Sequence, residues 1–297
     1  MAPTLNKQTV TLNDGSKLPV VGYGTYAVTD ETNGYDALLE ALKKGYRHID
    51  TAFIYNNEEV VGKAVKDSGI PRDEIFIVTK IWNNDHQDPA HALERSLRLM
   101  ELDYVDLLLI HWPVPQKAEG GETVVDKEWS HVKTWQLLQE LPREKVRSIG
   151  VSNYDTVLLE ELLNAPSTKV LPSVNQVELH PYLPQDKLRD YCQKKKIVLE
   201  AYCPLGSGAK LLENPLLKEL AEKYEATPAQ IALSWGISRG YVVLTKSSTP
   251  SRIESNIQTV ELSPEDITKI TNLSKTHPHR IVVPTWAKGV TFHDDDF

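Results

Sequence analysis

Three segments of this chain each close on a side chain able to do proton chemistry: Arg47-His48-Ile49-Asp50, Ile75-Phe76-Ile77-Val78-Thr79-Lys80 and Val105-Asp106-Leu107-Leu108-Leu109-Ile110-His111. The second and third are apolar runs of strand length, and a helix-compatible stretch follows each segment. Read as successive parallel strands, they bring Asp50, Lys80 and His111 to one face of a sheet, with Tyr55 just beyond the first strand end. An acid, an ammonium, an imidazole and a phenol in one cleft form a reaction centre rather than a packing motif. An unperturbed tyrosine has a pKa of about 10, too high for efficient proton transfer near neutrality. A nearby ammonium favours phenolate, so Lys80 is expected to lower the Tyr55 pKa while Asp50 holds Lys80 in place. His111 would hydrogen-bond a carbonyl oxygen and orient it. The set describes a proton donor aimed at an oxygen that becomes an alkoxide, and the matching half-reaction is hydride delivery to the carbonyl carbon.

The elements that must position these side chains alternate along the whole chain. Strands are expected at residues 20–24, 47–50, 75–80, 105–111, 146–151, 173–178, 197–202 and 242–245. Amphipathic helices are expected at 35–44, 90–100, 129–141, 156–163, 185–194 and 215–224. Thr227-Pro228-Ala229-Gln230 and Ser263-Pro264-Glu265-Asp266 add two helix starts with proline at the first helical position. Ahead of the first strand, Asn13-Asp14-Gly15-Ser16 between alternating runs predicts a β-hairpin. Eight strands alternating with helices close as a (β/α)8 TIM barrel or open as a doubly wound sheet. No Gly-, Pro- or Ser-rich linker divides residues 1–297, so one α/β domain is expected. The longest irregular piece, 113–127, follows the fourth strand and reads as a substrate loop.

Composition narrows the partners. A net charge of −8 and a pI near 5.6 argue against a nucleic-acid partner, which needs a basic surface. The first ten residues lack the apolar core of a secretory leader, and no run is long enough to span a bilayer. Cys192 and Cys203 are too few for a disulfide scaffold and are not spaced as zinc ligands. A cytoplasmic protein without a metal is expected. The terminal His293-Asp294-Asp295-Asp296-Phe297 matches no lipid or peroxisomal signal.

Two motifs compete for attention. Gly22-Tyr23-Gly24-Thr25-Tyr26-Ala27 fits a loose dinucleotide fingerprint, with Asp50 at the end of the next strand. That reading leaves Tyr55, Lys80 and His111 as coincidences, and a small-residue turn at the top of a barrel strand suffices. Tyr191 and Lys195 have the Tyr-x-x-x-Lys spacing of another dehydrogenase class, but three consecutive lysines there read as a solvated helix end. His180 precedes Pro181 in a loop and is read as structural.

Over nearly its whole length the chain resembles the aldo-keto reductases. The matching segments are Gly45-Tyr46-Arg47-His48-Ile49-Asp50-Thr51-Ala52 with Tyr55, Asn57 and Glu58; Lys80-Ile81-Trp82; and Asp106 through Pro113. Ile149-Gly150-Val151-Ser152-Asn153, Asn175 through Tyr182, Ala201 through Gly206, and Lys246 through Ile253 with Asn256 follow in family order. The resemblance is strongest to fungal NADPH-dependent carbonyl reductases. It implies a (β/α)8 barrel that binds NADPH without a Rossmann fold, with a C-terminal tail over the active face. It implies that Tyr55 is the general acid, that Asp50 and Lys80 tune it, and that His111 positions the carbonyl. Ser152, Asn153 and Gln176 would hold the nicotinamide carboxamide, Tyr202 would stack under the ring, and Leu205 and Ser207 would touch the pyrophosphate. Thr25, Tyr26 and Cys203 also fall on the cofactor path. Lys246, Ser247, Ser248, Thr249 and Arg252 would surround a 2′-phosphate, with Asn256 near adenine; two cations and several hydroxyls suit a dianion and favour NADPH over NADH. Tyr26, Trp82, His111, Trp112 and Trp286 would wall the pocket for a small carbonyl substrate.

Three positions depart from the family pattern. Tyr26 stands where tryptophan is usual, Cys203 replaces a serine, and Ser255 replaces a glutamate near adenine. Two other functions remain open at this point: an NADPH-binding regulatory subunit with little turnover, and a barrel lyase using Lys80 as a Schiff base. The resemblance implies a monomer or a weak dimer.

Overall fold

In a computed structural model of the chain, residues 2–28, 31–207, 209–284 and 286–287 are described. Eight parallel strands close into a barrel: β1 (Val21–Gly24), β2 (His48–Asp50), β3 (Phe76–Ile81), β4 (Val105–Ile110), β5 (Val146–Ser152), β6 (Val174–Glu178), β7 (Val198–Tyr202) and β8 (Val242–Thr245). Each pairs with its neighbours in sequence, and β8 returns to β1 with Val243 opposite Val21. Each differs from its expected span by at most one residue at either end, because β-branched and leucine runs between turn signals leave little freedom of register. The doubly wound alternative is excluded by closure.

The register sets the site. Gly24 lies opposite Asp50, Asp50 opposite Val78, and Lys80 opposite Leu109, so the ends of β1 to β4 form one continuous rim. On the other side, Ser152 pairs with Gln176, Gln176 with Glu200, and Glu178 with Tyr202. The Gly22-x-Gly24 motif belongs to this packing: a Cβ on Gly22 would stand 2.6 Å from the His48 ring and from Leu244. Glycine is there so that β1 can approach β2 and β8, not to cradle a dinucleotide.

Helices shield the barrel, and the core fills the space between them and the strands, with Trp135 and Trp235 fully buried. The expected hairpin forms from Thr9–Thr11 and Lys17–Pro19 and covers the N-terminal end of the barrel. Its Leu12 and Leu18 pack on Phe76, Val78, Leu107, Leu109, Val174 and Val242.

One expectation needs correction. The piece after β4 is not irregular: Gln116–Glu119 and Glu122–Val125 form a second antiparallel hairpin. Its turn is Gly120-Gly121, both in the left-handed region (φ 60° and 86°), a turn signal the sequence reading passed over. The helix-compatible stretch after Asp50, given no span from the sequence, is a helix at Glu58–Asp67. Gly62 weakens its propensity and the buried Glu58 interrupts its apolar stripe, while tertiary packing of Val61, Ala64 and Val65 compensates. The helix expected at 185–194 is present as Asp186–Lys195, and Lys195 lies over the Tyr191 ring at a helix end, with no second active centre around it. Cys192 and Cys203 are both free thiols. Among the described residues, no helix is long and apolar enough to cross a membrane, and no cluster of His, Cys, Asp and Glu could hold a metal ion. Residues 288–297 of the expected tail lie outside the described residues.

Candidate active site

Strand ends carry Asp50 and Lys80 into the barrel mouth, where they form a bidentate ion pair: Lys80 Nζ donates to Asp50 Oδ1 at 2.7 Å and Oδ2 at 2.8 Å. The third short contact of the ammonium is to the Thr51 carbonyl at 2.8 Å, and the Tyr55 hydroxyl lies at 3.5 Å. Lys80 is only 1% exposed, so its charge is stable there only because these acceptors replace water. Burial, opposed by Lys80 and reinforced by Glu200, holds Asp50 above the ordinary carboxylate value. A short 3-10 turn at Phe53–Tyr55, closed by Asn56 in the left-handed region, folds Tyr55 back over the pair. Asn57 fixes that turn: its Nδ2 donates to the Thr25 and Val28 carbonyls at 2.8 and 3.2 Å, and its Oδ1 accepts from the Thr51 hydroxyl at 2.9 Å.

His111 follows β4, and its ring meets Tyr55 edge-on at 5.7 Å between centroids. The imidazole is buried and its pKa lies well below the usual value, first through burial and then through the Lys80 charge. It is therefore neutral at physiological pH. Its Nδ1 is buried without a hydrogen-bond partner, a poor place for the ring hydrogen, which favours Nε2 as the protonated nitrogen.

Tyr55 corrects one expectation. Its pKa is not lowered but pushed well above the ordinary value, first by burial and then by Asp50, with Tyr26, Cys203 and Glu200 adding to it. Burial, with the Asp50 charge beside Lys80, outweighs the pull of the ammonium on the phenol. Tyr55 is held as a neutral phenol rather than primed as a phenolate.

The opposite wall is built from β5, β6 and β7. Gln176 Nε2 donates to Asp50 Oδ2 at 2.8 Å and to Glu200 Oε2 at 2.6 Å, which leaves its Oε1 as the atom able to take a donor from a ligand. Glu200 in turn meets His48 Nε2 at 3.2 Å, deep in the barrel. Ser152 donates to the Gln176 carbonyl at 2.7 Å. Asn153, in the left-handed region (φ 64°), donates to the His111 carbonyl at 2.8 Å and accepts from the Tyr202 hydroxyl at 2.7 Å. Tyr202 thus presents a half-buried ring beside these amides.

The aromatic wall is also assembled. Trp82 lies edge-on to His111 at 5.1 Å, and Trp286 bridges Trp82 and Trp112 at 5.7 and 5.5 Å. Tyr26 is 70% exposed and sits edge-on to Tyr55 at 5.3 Å, at a rim where a larger indole would narrow the entrance. His86 was missed by sequence reading: its Nε2 lies 3.0 Å from the Trp112 carbonyl and its Nδ1 2.9 Å from Thr134. Glu200 was missed too, because one acidic residue inside an apolar strand gives no signal until Gln176 is seen beside it.

Thr25 is buried with its hydroxyl turned towards Asn57, 3.5 Å away. Cys203 receives a hydrogen bond from Ser207 at 2.9 Å, and burial raises its thiol pKa, so the serine-to-cysteine departure adds no charge beside Tyr55. Leu205 is half-buried and Ser207 exposed on the loop after β7. After β8, Lys246, Ser248, Thr249 and Arg252 are exposed, Ser247 is half-buried and Asn256 is buried. Neither Lys246 nor Arg252 forms an ion pair among the described residues. Two unneutralised cations among three hydroxyls, with the Gln176 acceptor and the Tyr202 ring across the mouth, fit a phosphorylated dinucleotide laid over the barrel.

Barrel and mouth together are those of one family. Residues 20–275 match the model of the aldo/keto reductase family, and the chain belongs to it. Among curated relatives, aldehyde reductase YPR1 of Saccharomyces cerevisiae is 48% identical over 98% of this chain and all of its own length. The glycerol 2-dehydrogenase (NADP(+)) of the same yeast is 46% identical, with the same coverage. Among solved structures, the aldose reductase of Schistosoma japonicum superposes with a TM-score of 0.89 at 32% identity, covering 97% of this chain and 99% of that one.

Proposed function

We propose that this protein is an NADPH-dependent carbonyl reductase that converts aldehydes and ketones to alcohols. The observation that carries the reading is the convergence of Tyr55, Lys80, Asp50 and His111 at one barrel mouth, with a neutral phenol beside a neutral imidazole. The substrate oxygen sits between Tyr55 and His111. His111 donates a hydrogen bond that aligns the carbonyl and stabilises charge building on its oxygen. Bound NADPH supplies hydride to the carbonyl carbon. Tyr55 gives its proton to the oxygen, and an alkoxide, a far stronger base than a phenolate, draws it across. Lys80, held in place by Asp50, fixes the phenol. Gln176, Ser152 and Asn153 orient the nicotinamide carboxamide, Tyr202 supports the ring, and the Lys246–Arg252 segment holds the 2′-phosphate.

Support also comes from the named relatives, a reductase of aldehydes and an NADP(+)-dependent glycerol dehydrogenase. The lyase reading is disfavoured because the Lys80 ammonium is committed to Asp50 and Thr51, with no lone pair offered to a carbonyl carbon. A regulatory subunit would bind NADPH without consuming it. The deciding assay follows NADPH absorbance across aromatic aldehydes, ketoesters and sugars, with NADH in parallel. Turnover with NADPH preference is expected; tight NADPH binding without turnover on any carbonyl would overturn the enzyme reading.

A further inference from the structure

One buried carboxylate in the mouth takes no part in the chemistry above. Glu178 ends β6, beside Tyr202, and its side chain is fully buried. It faces three hydrogen-bond donors. Its Oε1 accepts from the Ile281 N–H at 2.8 Å and lies 2.9 Å from His180 Nε2; its Oε2 accepts from the Val282 N–H at 2.7 Å. His180, read from sequence as structural, is one of these partners. Two consecutive backbone N–H groups of the C-terminal tail are thus aimed at one carboxylate of the barrel.

The tail crosses the mouth just beyond this point. Earlier in the tail, the His279 N–H donates to the Tyr182 carbonyl at 3.2 Å. Four residues after Val282, Trp286 reaches Trp82 and Trp112 on the far side of the pocket. Four extended residues span at most about 14 Å, so pinning Val282 confines the indole to the mouth.

We propose that Glu178 is a positioning residue for substrate specificity: it latches the tail at Ile281 and Val282 and so holds Trp286 as the movable wall of the carbonyl pocket. Large aromatic carbonyls that contact this wall depend on the latch; two-carbon aldehydes that never reach it do not. The inference rests on the carbonyl-reductase reading and adds to it the element that selects substrate size.

Glu178→Gln tests it with almost no change in volume. An amide keeps one acceptor oxygen but turns an NH2 group towards donors, so at least one tail N–H loses its partner and faces another N–H. Val282→Pro removes one tail donor from the other side and leaves the barrel strand untouched. Amide hydrogen exchange of the full-length protein, read on peptides covering 277–287, is expected to quicken at least tenfold in both variants. The KM for 4-nitrobenzaldehyde should rise about tenfold, with kcat and the KM for glycolaldehyde within about twofold of wild type. In a Trp286→Ala background, Glu178→Gln should add no further rise in the aromatic KM. Unchanged exchange in both variants overturns the latch. A KM rise shared equally by both aldehydes, or one that persists without Trp286, overturns its role in specificity. Absence of turnover in the wild type would instead count against the enzyme reading, and the exchange measurement still decides the latch.

Discussion

The two ends of the barrel are made by the same eight strands and bury opposite kinds of side chain. At the floor, Leu12 and Leu18 of the hairpin close over Phe76, Val78, Leu107, Leu109, Val174 and Val242, all apolar. At the mouth, Asp50, Lys80, His111, Gln176, Glu178 and Glu200 are just as buried, and all are polar. Burying a charge costs several kcal/mol unless partners replace water. At the mouth each charged group has such partners: Asp50 with Lys80 and Gln176, Glu200 with Gln176 and His48, Glu178 with His180 and the tail. The floor is a source of stability that any well-fitting apolar set could supply. The mouth is an ordered electrostatic environment that only these residues in this register produce.

The largest effect should come from the mouth. Tyr55→Phe keeps the ring packed on Tyr26 and His111 but removes the proposed proton donor. Loss of a general acid costs roughly 10²–10⁴ in rate, so kcat should fall about a thousandfold. Thermal stability and NADPH affinity, measured by fluorescence quenching, should stay near wild type. Wild-type-like turnover in this variant would sink the assignment of the acid and with it the division of labour between the ends.

The floor should answer in the opposite way. Leu18 is fully buried beneath the barrel. Leu18→Ala removes that packing and leaves a cavity, costing roughly 2–5 kcal/mol of folding stability, read by urea denaturation. Kinetic constants measured well below the melting range should be unchanged. A matching drop in kcat would mean that floor packing sets the mouth geometry, and the two ends would no longer be separable.

The sequence carried the scaffold and the four central residues because both are local signals. Strand runs such as Val105–Ile110 end visibly, and parallel closure forces their ends together. What it did not carry were long-range electrostatics and pairings made by one residue each. Lys80 beside Tyr55 reads as a lowered phenol pKa until burial of the phenol and the Asp50 charge are seen to outweigh it. Glu178 reads as a strand-end acid until Ile281 and Val282, more than a hundred residues later, arrive on it. Likewise His86 has no meaning before the Trp112 carbonyl is placed over it. The hairpin at Gly120-Gly121 is different, since its turn glycines were present in the sequence and simply outweighed by the length of the loop.

A third region sharpens the contrast between floor and mouth, because it is charged without being buried. Lys246 and Arg252 stand in solvent at the rim with no acidic partner among the described residues. Exposed cations interact in high dielectric and are screened by salt, so each contributes less than a buried partner and the contributions nearly add. Lys246→Ala should therefore weaken NADPH binding by only about tenfold, equivalent to about 1.4 kcal/mol, and should leave kcat almost unaltered. On the proposed contact with the 2′-phosphate, NADH affinity should hardly change, and the NADPH loss should shrink as salt is raised from 50 to about 500 mM, where the Debye length falls towards a few Å. Titration of both cofactors at the two salt levels measures this. An equal loss for NADH would place Lys246 on the shared pyrophosphate instead, and a collapse of kcat would make the rim part of the mouth rather than its exposed counterpart.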